Sequence, residues 1–165
     1  MEMSRDYAHF VTRERIKMNR TLFLDADGVI NNFDTPYLSE FAIDPTLLKR
    51  VWRIVNMTGA TIVISSSWRF SEDFGLPKLR HALNDLGIYD IGETPVIEWG
   101  KNRNEEISAF LKAFQPSRSV VLDDDKIGDI ECPLGSEEVL VIKCNPRVGL
   151  TDEEARQAID FLSSN

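Results

Sequence analysis

Two carboxylates separated by one residue, Asp25 and Asp27, follow a compact apolar run at residues 21–24. A carboxylate at the end of a strand can attack phosphorus and form an aspartyl-phosphate. A second carboxyl group two residues later can protonate the leaving oxygen and then deprotonate the water that resolves the intermediate. Gly28 lets the chain turn away, which leaves backbone amides free to point at phosphate oxygens. Ordinary acids at a strand end are the alternative interpretation.

Three consecutive acids, Asp123, Asp124 and Asp125, follow a second apolar run at residues 119–122. Adjacent carboxylates repel one another, and a divalent cation relieves that repulsion. Carboxylate and carbonyl oxygens are the ligands that Mg²⁺ prefers. Asp129 is suited to hold a metal-bound water or a basic neighbour. A solvated acidic turn is the alternative.

A serine-rich turn follows a β-branched apolar run and consists of Ser65, Ser66 and Ser67. Its hydroxyls and amides can bind a phosphoryl oxygen, although such turns are often only structural. Trp68 and Arg69 come next. They can stack on a base or sugar and pair with a second phosphate; alternatively, Trp68 packs under the loop and Arg69 pairs with an acid.

Two basic residues, Lys101 and Arg103, stand just before a predicted helix. A cation at this position can offset the charge of a nucleophile and a phosphate together. Surface Lys and Arg are common, so this signal has weight only in combination with the others.

Strands and helices alternate along the chain. Strands are predicted at residues 21–24, 61–64, 88–91, 119–122 and 139–142. Helices are predicted at residues 45–58, 77–86, 104–114 and 152–162, from N-caps, first-turn prolines, terminal glycines and a capping box at residues 151–154. This order predicts an α/β fold, a Rossmann-like doubly wound parallel sheet with helices on both faces. Ligands of such sheets bind beyond the carboxyl ends of the strands, where the polar clusters are expected to meet.

The bulk composition suits one domain of 165 residues, with a core domain at residues 19–165 and an N-terminal arm at residues 1–18. No apolar run approaches the ~20 residues that cross a bilayer, and residues 1–19 lack an apolar signal segment, so a cytoplasmic protein is expected. The net charge of −8 argues against extended duplex binding. The two cysteines are expected to be buried thiols rather than a disulfide.

In combination, these motifs resemble those of the haloacid dehalogenase (HAD)-like phosphatase superfamily. The matching segments are residues 22–29, 62–67, the basic residues before Glu105, and residues 120–124 with Asp129 behind them. The resemblance covers roughly residues 20–162. It implies a Mg²⁺-dependent phosphatase that forms an aspartyl-phosphate.

The resemblance also implies roles for the acids. Asp25 would be the nucleophile and Asp27 the general acid/base. Mg²⁺ would be held by Asp25, by Asp124 and by the backbone carbonyl of Asp27, with Asp123 or Asp129 in support. An acid at position 27 favours phosphate transfer over dehalogenation, because a halide needs no proton on leaving.

Among the other motif residues, Ser66 would bind the phosphoryl group, with Ser65 as the alternative. Arg103 is preferred over Lys101 as the motif's cation because it stands at the helix start.

Residues 65–69, 92–95, 103–107 and 149–151 look more closely like a compact HAD domain family linked to RNA repair ("Swiss Army Knife") proteins. That similarity implies a polynucleotide end as a candidate substrate. About 36 residues separate Asp27 from the serine turn and a further ~33 reach Lys101. Neither interval has room for a separate cap, so an open site is expected. A phosphotransferase and a non-catalytic domain that binds phosphate and Mg²⁺ are the alternative functions.

Overall fold

The computed structural model describes residues 19–35, 41–97, 102–132 and 138–164. The predicted N-terminal arm and Lys101 therefore lie outside the described residues. In the described part, five strands form one parallel sheet in the order β3-β2-β1-β4-β5. The strands are β1 (Arg20–Leu24), β2 (Thr61–Ile64), β3 (Gly92–Glu93), β4 (Arg118–Asp123) and β5 (Glu138–Lys143).

Four α-helices connect or follow these strands: α1 (Pro45–Thr58), α2 (Gly75–Asp85), α3 (Arg103–Phe114) and α4 (Asp152–Ser163). A short 3-10 helix, Ser67–Phe70, follows β2. The predicted caps are confirmed at α1, where the Asp44 carboxylate accepts from the Thr46 amide at 2.7 Å. They are also confirmed at α4, where Thr151 and Glu154 form a capping box. None of the described helices is both long and apolar enough to cross a membrane.

Alternation along the central strands divides the core between the two faces of the sheet. One face packs against α1, α2 and α4, and its strand residues include Leu22, Leu24, Ile62, Ile64, Val120 and Leu122. The other face packs against α3, with Phe23, Val63, Val121, Ile107, Phe110 and Leu111. The predicted Rossmann-like fold with helices on both faces is confirmed, and no large cap occurs in the described part of the chain.

Three local predictions differ from the structure. Helix α2 begins at Gly75 rather than Pro77, because a proline with its fixed φ fits within a first helical turn. The third strand is Gly92–Glu93 rather than residues 88–91, since Ile88 is buried in the core ahead of the strand. Cys144 is buried as expected, but Cys132 is exposed.

The strand order reverses between β1 and β4, because the chain crosses from β3 over the sheet to β4 through α3. Ligand sites in open α/β sheets lie at such a reversal, beyond the carboxyl ends of the strands. Strand β1 ends directly before Asp25, and β4 ends at Asp123. The fold thus brings two of the predicted motifs to this point.

Candidate active site at the carboxyl edge of the sheet

Asp25 and Asp123 lie side by side at the switch point. Leu24 pairs with Leu122 in the sheet, so that the next residue of each strand is an aspartate. The Asp25 amide donates to the Leu122 carbonyl at 3.1 Å, which extends the pairing by one residue. Arg103, the first residue of α3, places Nη1 2.9 Å from Oδ2 of Asp25 and also contacts Oδ2 of Asp123. One guanidinium therefore bridges the ends of two strands.

Burial sets the electrostatics of these acids. Burial raises the pKa of Asp25 to about 6; Arg103 acts in the opposite direction, and Asp123 adds to the increase. Burial also raises the pKa of Asp124 to about 6, with a contribution from the Asp25 charge. The pKa of Asp123 is raised by burial as well. The raised pKa values mean that keeping these carboxylates ionised costs free energy, and a bound cation would offset that cost.

The donor set fits a divalent cation. Among the described residues, carboxylate oxygens of Asp25, Asp123 and Asp124 all lie within 4.8 Å of one another. With Arg103 beside them, three ionised carboxylates leave a net charge of −2, which one Mg²⁺ would neutralise, and all donors are oxygens. Both oxygens of Asp123 are engaged, Oδ1 by the Asp125 amide at 2.9 Å and Oδ2 by Arg103. The same holds for Asp25, whose Oδ1 accepts from the Ala26 amide at 2.8 Å and whose Oδ2 contacts Arg103, so these contacts do not rank the three carboxylates as ligands.

Gly28 allows Asp124 to approach the β1 loop. Its φ is 69°, and a Cβ at this position would lie 2.5 Å from both Cβ and Oδ2 of Asp124. The Gly28 amide donates to Oδ1 of Asn31 at 2.9 Å. The expectation that this amide points at a phosphate is therefore corrected: it is already bonded, and the glycine serves the close contact with Asp124.

Asp27 is exposed but held in place by two donors. Its Oδ1 accepts from Nδ2 of Asn31 at 2.9 Å, and its Oδ2 accepts from Nε1 of Trp68, also at 2.9 Å. The role of Asn31 was not predicted. Its side chain accepts from an amide three residues earlier in the chain, and no turn pattern in the sequence indicates that contact.

The serines take different positions. Ser66 is buried beside Asp25, where its hydroxyl lowers the Asp25 pKa, and its Oγ accepts from the Trp68 amide at 3.2 Å. Ser65 is buried, its amide is bonded to Leu24, and its Oγ has no hydrogen-bond partner. Ser67 is exposed at the start of the 3-10 helix. The serine nearest the carboxylate cluster is therefore Ser66.

The substrate-binding interpretation of Trp68 and Arg69 is corrected, because both side chains are buried, at 2% and 4% exposure. Trp68 packs edge-on against Phe41 and donates to Asp27. Arg69 pairs with Glu106 of α3 and donates to Oγ1 of Thr94 at 2.7 Å. Trp68 therefore packs under the loop and Arg69 pairs with an acid, as the alternative interpretation held.

Arg69 also connects two parts of the site. Its Nη1 donates to the Ser65 carbonyl at 2.8 Å, and its Nη2 bonds Glu106, one helical turn after Arg103. Glu106 in turn accepts from the Ile97 amide at 3.0 Å. The serine turn and the helix that carries Arg103 are thereby held together. Glu106 stood within a recognised motif, but its role was not predicted.

Asp129 does not join the cluster. It is exposed, and its backbone carbonyl accepts from Nδ2 of Asn104 at 3.1 Å. Its carboxylate is not part of the acidic group found in the described residues. The predicted support for the metal from Asp129 is therefore not favoured, because the loop after β4 carries this side chain away.

A parallel sheet with carboxylates at its switch point, a serine turn after β2 and a cation at the start of α3 defines a Rossmann-like domain of the HAD class. The chain matches the family model described as "HAD domain in Swiss Army Knife RNA repair proteins" over residues 21–155. It belongs to that family, which confirms the resemblance seen in its motifs. Searches among curated proteins and among solved structures gave no significant match.

Proposed function

We propose that this protein is a Mg²⁺-dependent phosphohydrolase that cleaves a phosphomonoester through an aspartyl-phosphate on Asp25. The observation that carries the proposal is the convergence of Arg103, Asp25 and Asp124 at the switch point. A binding domain would not need a general acid in addition, yet Asp27 stands on the same edge with both oxygens held by hydrogen bonds.

In the proposed reaction, a carboxylate oxygen of Asp25 attacks phosphorus while the bond to the leaving oxygen breaks. Protonated Asp27 gives its proton to that oxygen. Ionised Asp27 then takes a proton from water, whose oxygen attacks the phosphoryl group, so that phosphate leaves and Asp25 is restored.

The remaining residues hold charge and position. Arg103 offsets the negative charge of Asp25 and the phosphoryl group, and the Ser66 hydroxyl binds a phosphoryl oxygen. Asp25, Asp124 and the Asp27 carbonyl would hold Mg²⁺, which supplies charge neutralisation at the transferred group when bound.

The substrate is proposed to be the phosphorylated end of a polynucleotide. The absence of a large cap in the described residues leaves room for a bulky phosphoester. The description of the family refers to RNA repair proteins, and that context favours nucleic-acid ends over small metabolites.

Phosphate release tests the proposal, measured with and without Mg²⁺ on p-nitrophenyl phosphate and on 3′- and 5′-phosphorylated oligonucleotides. Release should require Mg²⁺ and should be faster from at least one oligonucleotide. Asp124→Asn should raise the Mg²⁺ requirement at least about tenfold. Asp125→Asn is the matched control, since the exposed Asp125 lies next in the chain but outside the cluster. Release that is independent of Mg²⁺, or no release from any substrate, would contradict the proposal.

A further inference from the structure

An exposed aromatic ring lies on the loop that carries Asp27. Phe33 is 58% exposed, and the guanidinium carbon of Arg147 lies 5.8 Å from the centroid of its ring. Arg147 belongs to the loop after β5, next to Val148, which is 47% exposed. We call the pair of side chains the Phe33–Arg147 platform. Neither side chain has a role in the reaction described above.

The two loops that carry the platform are fixed to each other. The Phe33 amide donates to the Pro146 carbonyl at 3.2 Å, and Nδ2 of Asn32 donates to the Val148 carbonyl at 3.0 Å. The Leu150 amide donates to the Val29 carbonyl at 2.9 Å. Because these hydrogen bonds fix the backbone beneath it, the exposed ring offers a flat surface that loses little conformational entropy when a ligand binds.

The platform lies on the same edge of the sheet as the carboxylates. Phe33 follows Asp27 by six residues, which span at most ~20 Å when extended. The real path is shorter, because the chain makes a turn in which the Ile30 amide donates to the Ala26 carbonyl. Loop 144–150 leaves the sheet beside Asp123, the partner of Lys143 in the β4–β5 register.

We propose that the Phe33–Arg147 platform stacks a nucleobase within the last few nucleotides of the phosphorylated end, an inference that rests on the proposed function. Bases stack on aromatic rings and on guanidinium planes, independently of sequence. A cation here also attracts a polyanion to a chain whose net charge is −8. The platform thus distinguishes a nucleic-acid end from a small phosphoester.

The test compares two substrates, a phosphorylated single-stranded oligonucleotide and the same oligonucleotide with its last four nucleotides abasic. The wild type should have a KM about tenfold lower for the intact end. Phe33→Ala should remove that difference by raising KM for the intact end alone, with kcat unchanged, and Phe33→Tyr should restore it. Tyr89→Ala is the matched control. Tyr89 is 72% exposed, but it precedes β3, the outer strand on the side of the sheet away from β5.

The outcomes separate the two proposals. Equal KM for both ends in the wild type, or an equal effect of Phe33→Ala on both, would overturn the platform while the hydrolysis of oligonucleotide ends stands. Hydrolysis of p-nitrophenyl phosphate but of neither oligonucleotide would overturn the substrate class, and the platform with it.

Discussion

The indole Nε1 of Trp68 donates a hydrogen bond to Oδ2 of Asp27 across 2.9 Å. The donor belongs to a side chain that is 2% exposed, whereas the acceptor is an exposed carboxylate. The bond joins the turn after β2 to the loop after β1. A rigid, buried donor therefore fixes the orientation of the group that we propose as general acid/base.

Trp68→Phe removes this donor and keeps an aromatic ring against Phe41. Because a hydrogen bond to a charged group contributes roughly 1.5–3 kcal/mol, kcat/KM should fall about tenfold or more for an oligonucleotide end. The loss of kcat/KM, which reports the steps up to departure of the leaving group, should be much smaller for p-nitrophenyl phosphate, because that leaving group needs little protonation. Steady-state kinetics on the two substrates make the measurement.

Trp52→Phe is the control for that variant, since Trp52 packs against the core from α1, away from Asp27. An equal loss of kcat/KM on both substrates in Trp68→Phe would mean that the indole does not act on proton transfer from Asp27 to the leaving group.

Gly28→Ala should weaken Mg²⁺ binding. A Cβ at position 28 would lie 2.5 Å from Oδ2 of Asp124 and would displace that carboxylate. The Mg²⁺ concentration for half-maximal activity should rise at least about tenfold. Gly59→Ala is the matched control: Gly59 has a similar φ of 67°, but a Cβ there would meet nothing within 4 Å. The same Mg²⁺ dependence in both variants would show that Gly28 does not position Asp124.

The central strands and most helix bounds were predictable from the sequence, because apolar runs and helix caps are local sequence patterns. The strand β3 was misplaced, since two residues, Gly92 and Glu93, carry no apolar signal and pair only because β2 lies beside them. The partners of Arg69 could not be predicted either. Glu106 is 37 residues away, and only the tertiary fold brings the two side chains together.

Within the site, the family resemblance favoured Asp25, Arg103 and Ser66, with Lys101 and Ser65 as alternatives. The structure brings Asp25, Arg103 and Ser66 together, while Lys101 lies outside the described residues. The two hydrogen bonds that the Asp27 carboxylate accepts were not predictable in this way. They depend on the rotamers of Asn31 and Trp68 and on how two loops pack, and sequence spacing does not determine either.

Glu106→Gln should strongly destabilise the fold. The Arg69 and Glu106 side chains are 2% and 1% exposed, so that loss of the carboxylate charge leaves a guanidinium buried without a counter-ion. The free energy of unfolding should fall by about 3–5 kcal/mol. Denaturant titration with circular dichroism measures it, and the double variant Arg69→Met/Glu106→Leu should recover part of the loss.

The control for this variant is Glu153→Gln in α4. Glu153 pairs with Arg156, and both side chains are more than half exposed. Its denaturation midpoint should stay close to that of the wild type. Similar shifts in the two variants would contradict the assignment of the buried pair as a stabilising connection.

The stability of the metal-free protein should depend on pH through Asp124. Its pKa rises from 3.8 to about 6 on folding, so between these values the folded state binds a proton that the unfolded state has lost. The stabilisation is complete below the unfolded pKa and is lost as pH rises through 6. Asp124→Asn should therefore raise the melting temperature in EDTA at pH 7.5 and change it little at pH 4. A gain of the same size at both pH values would contradict the raised pKa.

The central claim is that Asp25 carries the phosphoryl group. Its most direct test is acid quenching during turnover of a phosphorylated oligonucleotide with Mg²⁺, followed by peptide mass spectrometry. We predict a phosphorylated Asp25 in the wild type, and neither phosphoenzyme nor phosphate release in a folded Asp25→Asn variant. Sustained release by Asp25→Asn, or a phosphoryl group on another residue, would contradict the account.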